Sequence, residues 1–137
     1  MSSEHLPRVS LYFRFYGETF DPDEITARLG TEPTEQFRPG DPITKDGRGK
    51  RRSDGWWIKV GPQQTFEIDD MLQELREKVV VDSAVVRQLC QDLNVNLVIL
   101  CGVGMGDSED LPVTYFPPDF VIWAAEMGAA INVDVVL

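Results

Sequence analysis

Imidazole and thiol are scarce in this chain, with one histidine, His5, and two cysteines, Cys90 and Cys101, among 137 residues. Without a Cys-x-x-Cys pair or a second imidazole, a zinc site lacks its ligands, and a serine or cysteine nucleophile lacks a placed base. Cys90 falls on a helix-like apolar stripe and Cys101 inside a strand-like apolar run, which are positions of small core residues. No apolar run approaches the roughly 20 residues needed to cross a bilayer as a helix. The opening Met1-Ser2-Ser3-Glu4-His5-Leu6-Pro7 has neither the basic nor the apolar region of a secretory signal, so a cytoplasmic protein is expected. Positive charge is also in the minority: 13 Lys and Arg against 23 Asp and Glu give a net charge of −10. That balance disfavours nonspecific binding to nucleic acid or anionic membrane and favours basic partners.

Nucleotide motifs are missing too. Around Gly49-Lys50 a P-loop would need a hydroxyl where Arg51 stands and a glycine where Thr44 stands. Gly102, Gly104 and Gly106 follow a strand, but Asp107 occupies the last glycine position of a dinucleotide loop, and Pro112, Pro117 and Pro118 oppose a helix opening there. Carboxylates cluster at Asp21, Asp23 and Glu24, where helix capping accounts for them, and at Asp107, Glu109 and Asp110, in a solvated loop without calcium-loop spacing. No residue is assigned a catalytic role, no metal or cofactor is expected, and the balance leans away from an enzyme.

What is present is enough apolar sequence, 42%, for one domain spanning 1–137. Arg8 to Tyr16 alternates, with Val9, Leu11, Phe13 and Phe15 on one side, as a half-buried strand does. A short helix follows, capped by Asp21 with Pro22 at its first position and Glu24 completing a capping box, and stopped by Gly30. Residues 31–55 read as a long loop holding the basic run Lys45-Asp46-Gly47-Arg48-Gly49-Lys50-Arg51-Arg52. That run is locally +4, so the rest of the chain carries −14 rather than −10. A strand at 56–60 is closed by Gly61-Pro62, and two helical pieces follow, the second capped by Asp82. The strand at 95–103 is apolar on both sides and belongs inside a sheet. The last helix, from Pro117, is apolar over more than one face, predicting burial on more than one side, and it leads into a strand from Ala130.

Strand-helix units at both ends suggest two copies of one strand-helix-strand repeat. The expected fold is α+β, a ferredoxin-like antiparallel four-stranded sheet with an inserted helical segment, and the alternative is a mixed sheet with helices on both faces. Two surfaces stand out. The outward strand residues Tyr12, Arg14, Tyr16, Trp57 and Lys59 combine aromatic and arginine side chains as binding hot spots do, unless the inserted helices cover them. Arg48, Lys50, Arg51 and Arg52 could hold an anion, against the simpler reading of a solvated loop.

The residues Phe20-Asp21-Pro22-Asp23-Glu24-Ile25, Leu29-Gly30, Pro33-Thr34, Arg38 and Gly40-Asp41, with Trp57, Met127-Gly128-Ala129 and Asp134, resemble domain-of-unknown-function family 4279. Where that family tends to end in Asp-x-Asp-x-Tyr, this chain has Asn132-Val133-Asp134-Val135-Val136. The resemblance implies a small bacterial cytoplasmic protein and brings no catalytic residues. The expected function is a non-catalytic binding protein, such as an acidic inhibitor or immunity-type partner of a basic protein. The alternatives are a small-molecule or anion binder, or an enzyme, using the Trp56-Trp57 strand and loop 45–52, and a homodimer built on the strand face or on Val121 and Ile122.

Overall fold

The computed structural model describes residues 5–137; the expected absence of a signal rests partly on residues 1–4, which lie outside the described residues. The elements are β1 (Arg8–Tyr16), α1 (Pro22–Leu29), β2 (Glu35–Phe37), β3 (Gly55–Gln64), α2 (Asp69–Lys78), α3 (Ser83–Leu93), β4 (Asn96–Gly104), α4 (Pro118–Glu126) and β5 (Ala130–Val136). The sheet order is β2-β3-β1-β4-β5. β1 pairs antiparallel with β3 and β4, β2 antiparallel with β3, and β4 parallel with β5.

The α+β class holds, but the four-stranded antiparallel ferredoxin-like sheet does not. Both edges of β1 are taken, by β3 and β4, so the last strand has no place beside it. The crossover through α4 instead lays β5 as a parallel neighbour of β4 at the sheet's edge. The repeat survives in altered form: β1 and β2 run parallel with β3 between them, whereas β4 and β5 are adjacent.

One core accounts for the layering. Phe13, Phe15, Trp56, Ile58, Leu97 and Ile99 point inward from the sheet and join Ile25 of α1, Leu75 of α2, Leu89 of α3 and Phe120 of α4 in a single cluster. All four helices therefore cover one face, and the inserted pair does not cover the other.

Several local expectations change. Asp21 caps α1 by accepting from the Asp23 N–H at 3.0 Å, while Glu24 contributes its backbone N–H to the Asp21 carbonyl and not a capping-box side chain. β3 continues through Gly61-Pro62 to Gln64 because its pairing with β1 resumes beyond a bulge, Val9 facing Gln63. The 31–55 segment contains β2 and a hairpin. α4 buries only Phe120 and Ala124, leaving Val121 43% and Ile122 60% exposed.

Candidate functional site

The uncovered face of the sheet gathers aromatic and cationic side chains. Antiparallel register sets Tyr12 opposite Lys59 and Arg14 opposite Trp57, so alternate residues of β1 and β3 meet on this face. Tyr12 and Trp57 are edge to face with centroids 5.7 Å apart, and Trp57 meets Phe37 of β2 in the same way at 5.3 Å. The Lys59 ammonium lies 5.5 Å from the Tyr12 ring, and the Arg14 guanidinium 5.8 Å from Trp57. Arg51 stacks 3.9 Å over Phe37, reaches to 5.8 Å from Trp57, and pairs with Glu35 at 3.0 Å. Arg14 has no carboxylate partner among the described residues, and the Nε of both arginines is enclosed without an acceptor.

Of the residues expected from sequence, Tyr12, Arg14, Trp57 and Lys59 come together. Tyr16 shares the face but stands at the end of β1, and among the described residues it is paired only with Asn96 and has no ring partner. The basic set divides. Residues 41–51 form a hairpin in which Arg51 N–H donates to the Asp41 carbonyl at 2.7 Å and Ile43 N–H to the Gly49 carbonyl at 3.3 Å. This ladder delivers Arg51 to the aromatic cluster. Arg48 folds back onto Asp46 at 2.7 Å, while Lys50 and Arg52 are exposed. Bonding from the Thr44 hydroxyl, then from the Arg48 backbone, holds the Asp46 carboxyl below its usual range. The structure thus places the four basic residues separately, Arg51 against the aromatic cluster and Arg48 against Asp46, with neighbours in the strand-like segment pointing apart. Phe37 and Glu35 gave no sequence signal, β2 being three residues long.

The base of the hairpin is tied to α1. Arg38 donates from its guanidinium to Asp21 at 2.7 Å and Asp23 at 2.8 Å, and its N–H to the Asp41 carboxylate at 2.7 Å. Gly40, at φ +93°, makes the turn between them. The Arg38 hydrogen bond, followed by the Asp23 N–H, pulls the Asp21 carboxyl below its ordinary range. Asp92 is lowered as well, by Gln88 first and then Arg28. Groups depressed in the folded state release protons more readily there than in the unfolded chain, so their stabilisation is complete above the unfolded value of about 4 and lost as pH falls through the folded one. The urea midpoint should therefore hold steady from neutral pH to about 5 and fall below about 4. In Arg38→Ala the fall should be shallower; an unchanged acid slope would remove Asp21 from the account.

Cys101 takes the core position its strand-like run suggests, and Cys90 is half-buried on α3. Cys101 is fully buried and burial pushes its thiol up to about 11, while burial also raises Cys90. His5 is exposed ahead of β1. Among the described residues no three of His, Cys, Asp and Glu group as metal ligands, and no helix is long and apolar enough to cross a membrane.

A family model described as a domain of unknown function (DUF4279) matches residues 7–137. The chain belongs to that family. Neither the curated proteins nor the solved structures compared with it contain a match. In this DUF4279 chain, Arg38, Gly40 and Asp41, which carried the resemblance, serve the hairpin anchor, and Trp57 lies at the centre of the open face.

Proposed function

We propose that this chain is a non-catalytic binding protein that engages a protein partner through the open face of its sheet. The single observation that carries the reading is Arg14: a half-buried guanidinium held beside Trp57 without a carboxylate partner among the described residues. A partly desolvated charge without a counter-charge costs the fold something that its contact with the Trp57 ring offsets only in part, and the remaining cost falls when a partner supplies the counter-charge. Trp57 and Tyr12 beside it supply the aromatic area typical of hot spots. The partner surface that fits carries a carboxylate next to apolar groups. Three grooves in the structure are lined by other residues, and Trp56 is in the core, which favours a broad protein contact over a small molecule at the tryptophan strand.

A second reading, an acidic inhibitor or immunity-type partner of a basic protein, is favoured by the groove of about 610 Å³ between α2 and α4. Arg76 also lines it and pairs with Asp119 at 3.3 Å, so the carboxylates open to a basic side chain with an aliphatic stem are Asp69 and Glu77, around Leu72, Tyr115 and Phe120.

One experiment separates them: binding partners captured from native lysate at low and high salt are quantified with wild type, Arg14→Ala, Trp57→Ala and Asp69→Asn/Glu77→Gln. The open-face reading expects a loss of about tenfold or more with either of the first two variants, with circular dichroism unchanged, and none with the third. Loss confined to the groove variant would transfer the function to the acidic side.

A further inference from the structure

The two edges of the sheet are treated differently. Beyond β2, the outer edge of β3 is blunted: Thr34 Oγ1 accepts the Lys59 N–H at 2.9 Å, Lys78 Nζ caps the Lys59 carbonyl at 3.4 Å, and Pro62 offers no donor. β5, the opposite edge, is seven residues long, contains one charge, Asp134, and among the described residues receives no side-chain cap. Natural sheets normally protect such an edge with lysine, proline or a covering element. An unguarded, valine-rich edge is a template for another strand.

Backbone parity defines what that strand must be. The Val136 carbonyl accepts from Met105 N–H at 2.9 Å, and Val136 lies opposite Gly104. The even-numbered residues of β5 thus turn their N–H and C=O groups to β4, and Ile131, Val133 and Val135 turn theirs to the free edge. The side chains of those three lie on the helix side of the sheet, continuing the Ile99 row. On α4, Asp119 and Trp123 face α2 through Arg76, so Val121, one helical step from Phe120 in the other sense, lies toward the free edge. The edge and the exposed flank of α4 form one apolar strip.

We infer that a second copy of this chain occupies that strip by antiparallel pairing of β5 with its symmetry mate. A twofold axis at Val133 makes Val133 its own partner and pairs Ile131 with Val135, so that every outward N–H and C=O in the strand is satisfied. The same axis brings Asn132 against Asp134 of the mate on the open face, twice, as a donor facing a carboxylate. An axis at Asp134 would oppose two carboxylates in the closest pairing position, and an axis at Asn132 would leave Val135 unpaired. The result is a continuous ten-stranded sheet whose open faces stay available, so the inference stands apart from the proposed partner surface.

Sedimentation velocity across concentration, with amide hydrogen exchange, tests this. Wild type should show a concentration-dependent dimer, strengthened by salt because two copies of charge −10 repel, and slowed exchange at the Ile131, Val133 and Val135 amides. Val133→Pro removes an N–H that the monomer does not use and should give a monomer whose melt matches that of wild type at concentrations low enough for wild type to be monomeric. Asn132→Asp places like charges opposite in both symmetric contacts and should weaken the dimer several-fold. The exchanged pair Asn132→Asp/Asp134→Asn should restore it, which misfolding would not do. Wild type monomeric up to its solubility limit, or a dimer indifferent to Val133→Pro, overturns the inference.

Discussion

Trp56→Ala should lower the unfolding free energy by about 3–5 kcal/mol, while Trp57→Ala, one residue on, should cost only about 1 kcal/mol. The indole of Trp56 has no exposed surface, meets Phe15 edge to face at 5.4 Å, and donates its Nε1–H to Thr26 Oγ1 of α1 at 3.0 Å. Removing it opens a cavity between α1 and β3 and leaves the threonine hydroxyl without its donor. Against a typical domain stability of about 5–15 kcal/mol, that loss brings the chain close to unfolding at room temperature. Trp57 is half-buried under side chains that can re-solvate when it is truncated. Urea midpoints of the two variants check the contrast. Equal losses would mean that the helices do not lie over the Trp56 side of the sheet, and the identity of the open face would fall with them.

That contrast marks where the sequence stops being legible. The alternation of Val9, Leu11, Phe13 and Phe15 is local, and it located β1 and its inward face correctly. Caps are local as well, which is why Asp21 and Asp82 start their helices as expected. At Trp56-Trp57 strand geometry requires one ring on each side, but only pairing with β1 decides which ring is inside. Strand order is more remote still. It depends on β3 occupying an edge of β1, and no residue pattern in the final strand records that competition. β2 is not legible in the sequence because three residues carry no measurable period, and Phe37 is illegible with it. The basic run was visible, but charge alone did not separate Arg51, which stacks on Phe37, from Arg52, which is exposed. The apolar surplus of α4 points to a second buried side; among the described residues nothing covers Val121 and Ile122, which mark the strip on which the dimer inference is built.

Gly55→Ala should reach the candidate site without touching a partner. The Phe37 ring lies where a side chain on residue 55 would project, so an added methyl would overlap ring atoms Cζ, Cε1 and Cε2. The backbone of β3 cannot retreat, because Trp56 and Ile58, which follow Gly55 in the strand, are locked in the core. The ring must therefore leave. Overpacking of this kind costs about 1–3 kcal/mol, and the movement takes away the surface on which Arg51 stacks and one of the two rings that hold Trp57 edge to face. Partner binding should fall with Gly55→Ala about as far as with Trp57→Ala, although residue 55 is buried. A double-mutant cycle isolates the cause: in a Phe37→Ala background the same glycine substitution should cost little further stability, giving a coupling of roughly 1–2 kcal/mol. Additive losses would show that Gly55 acts through the backbone instead, and the aromatic face would then owe its order to the hairpin alone.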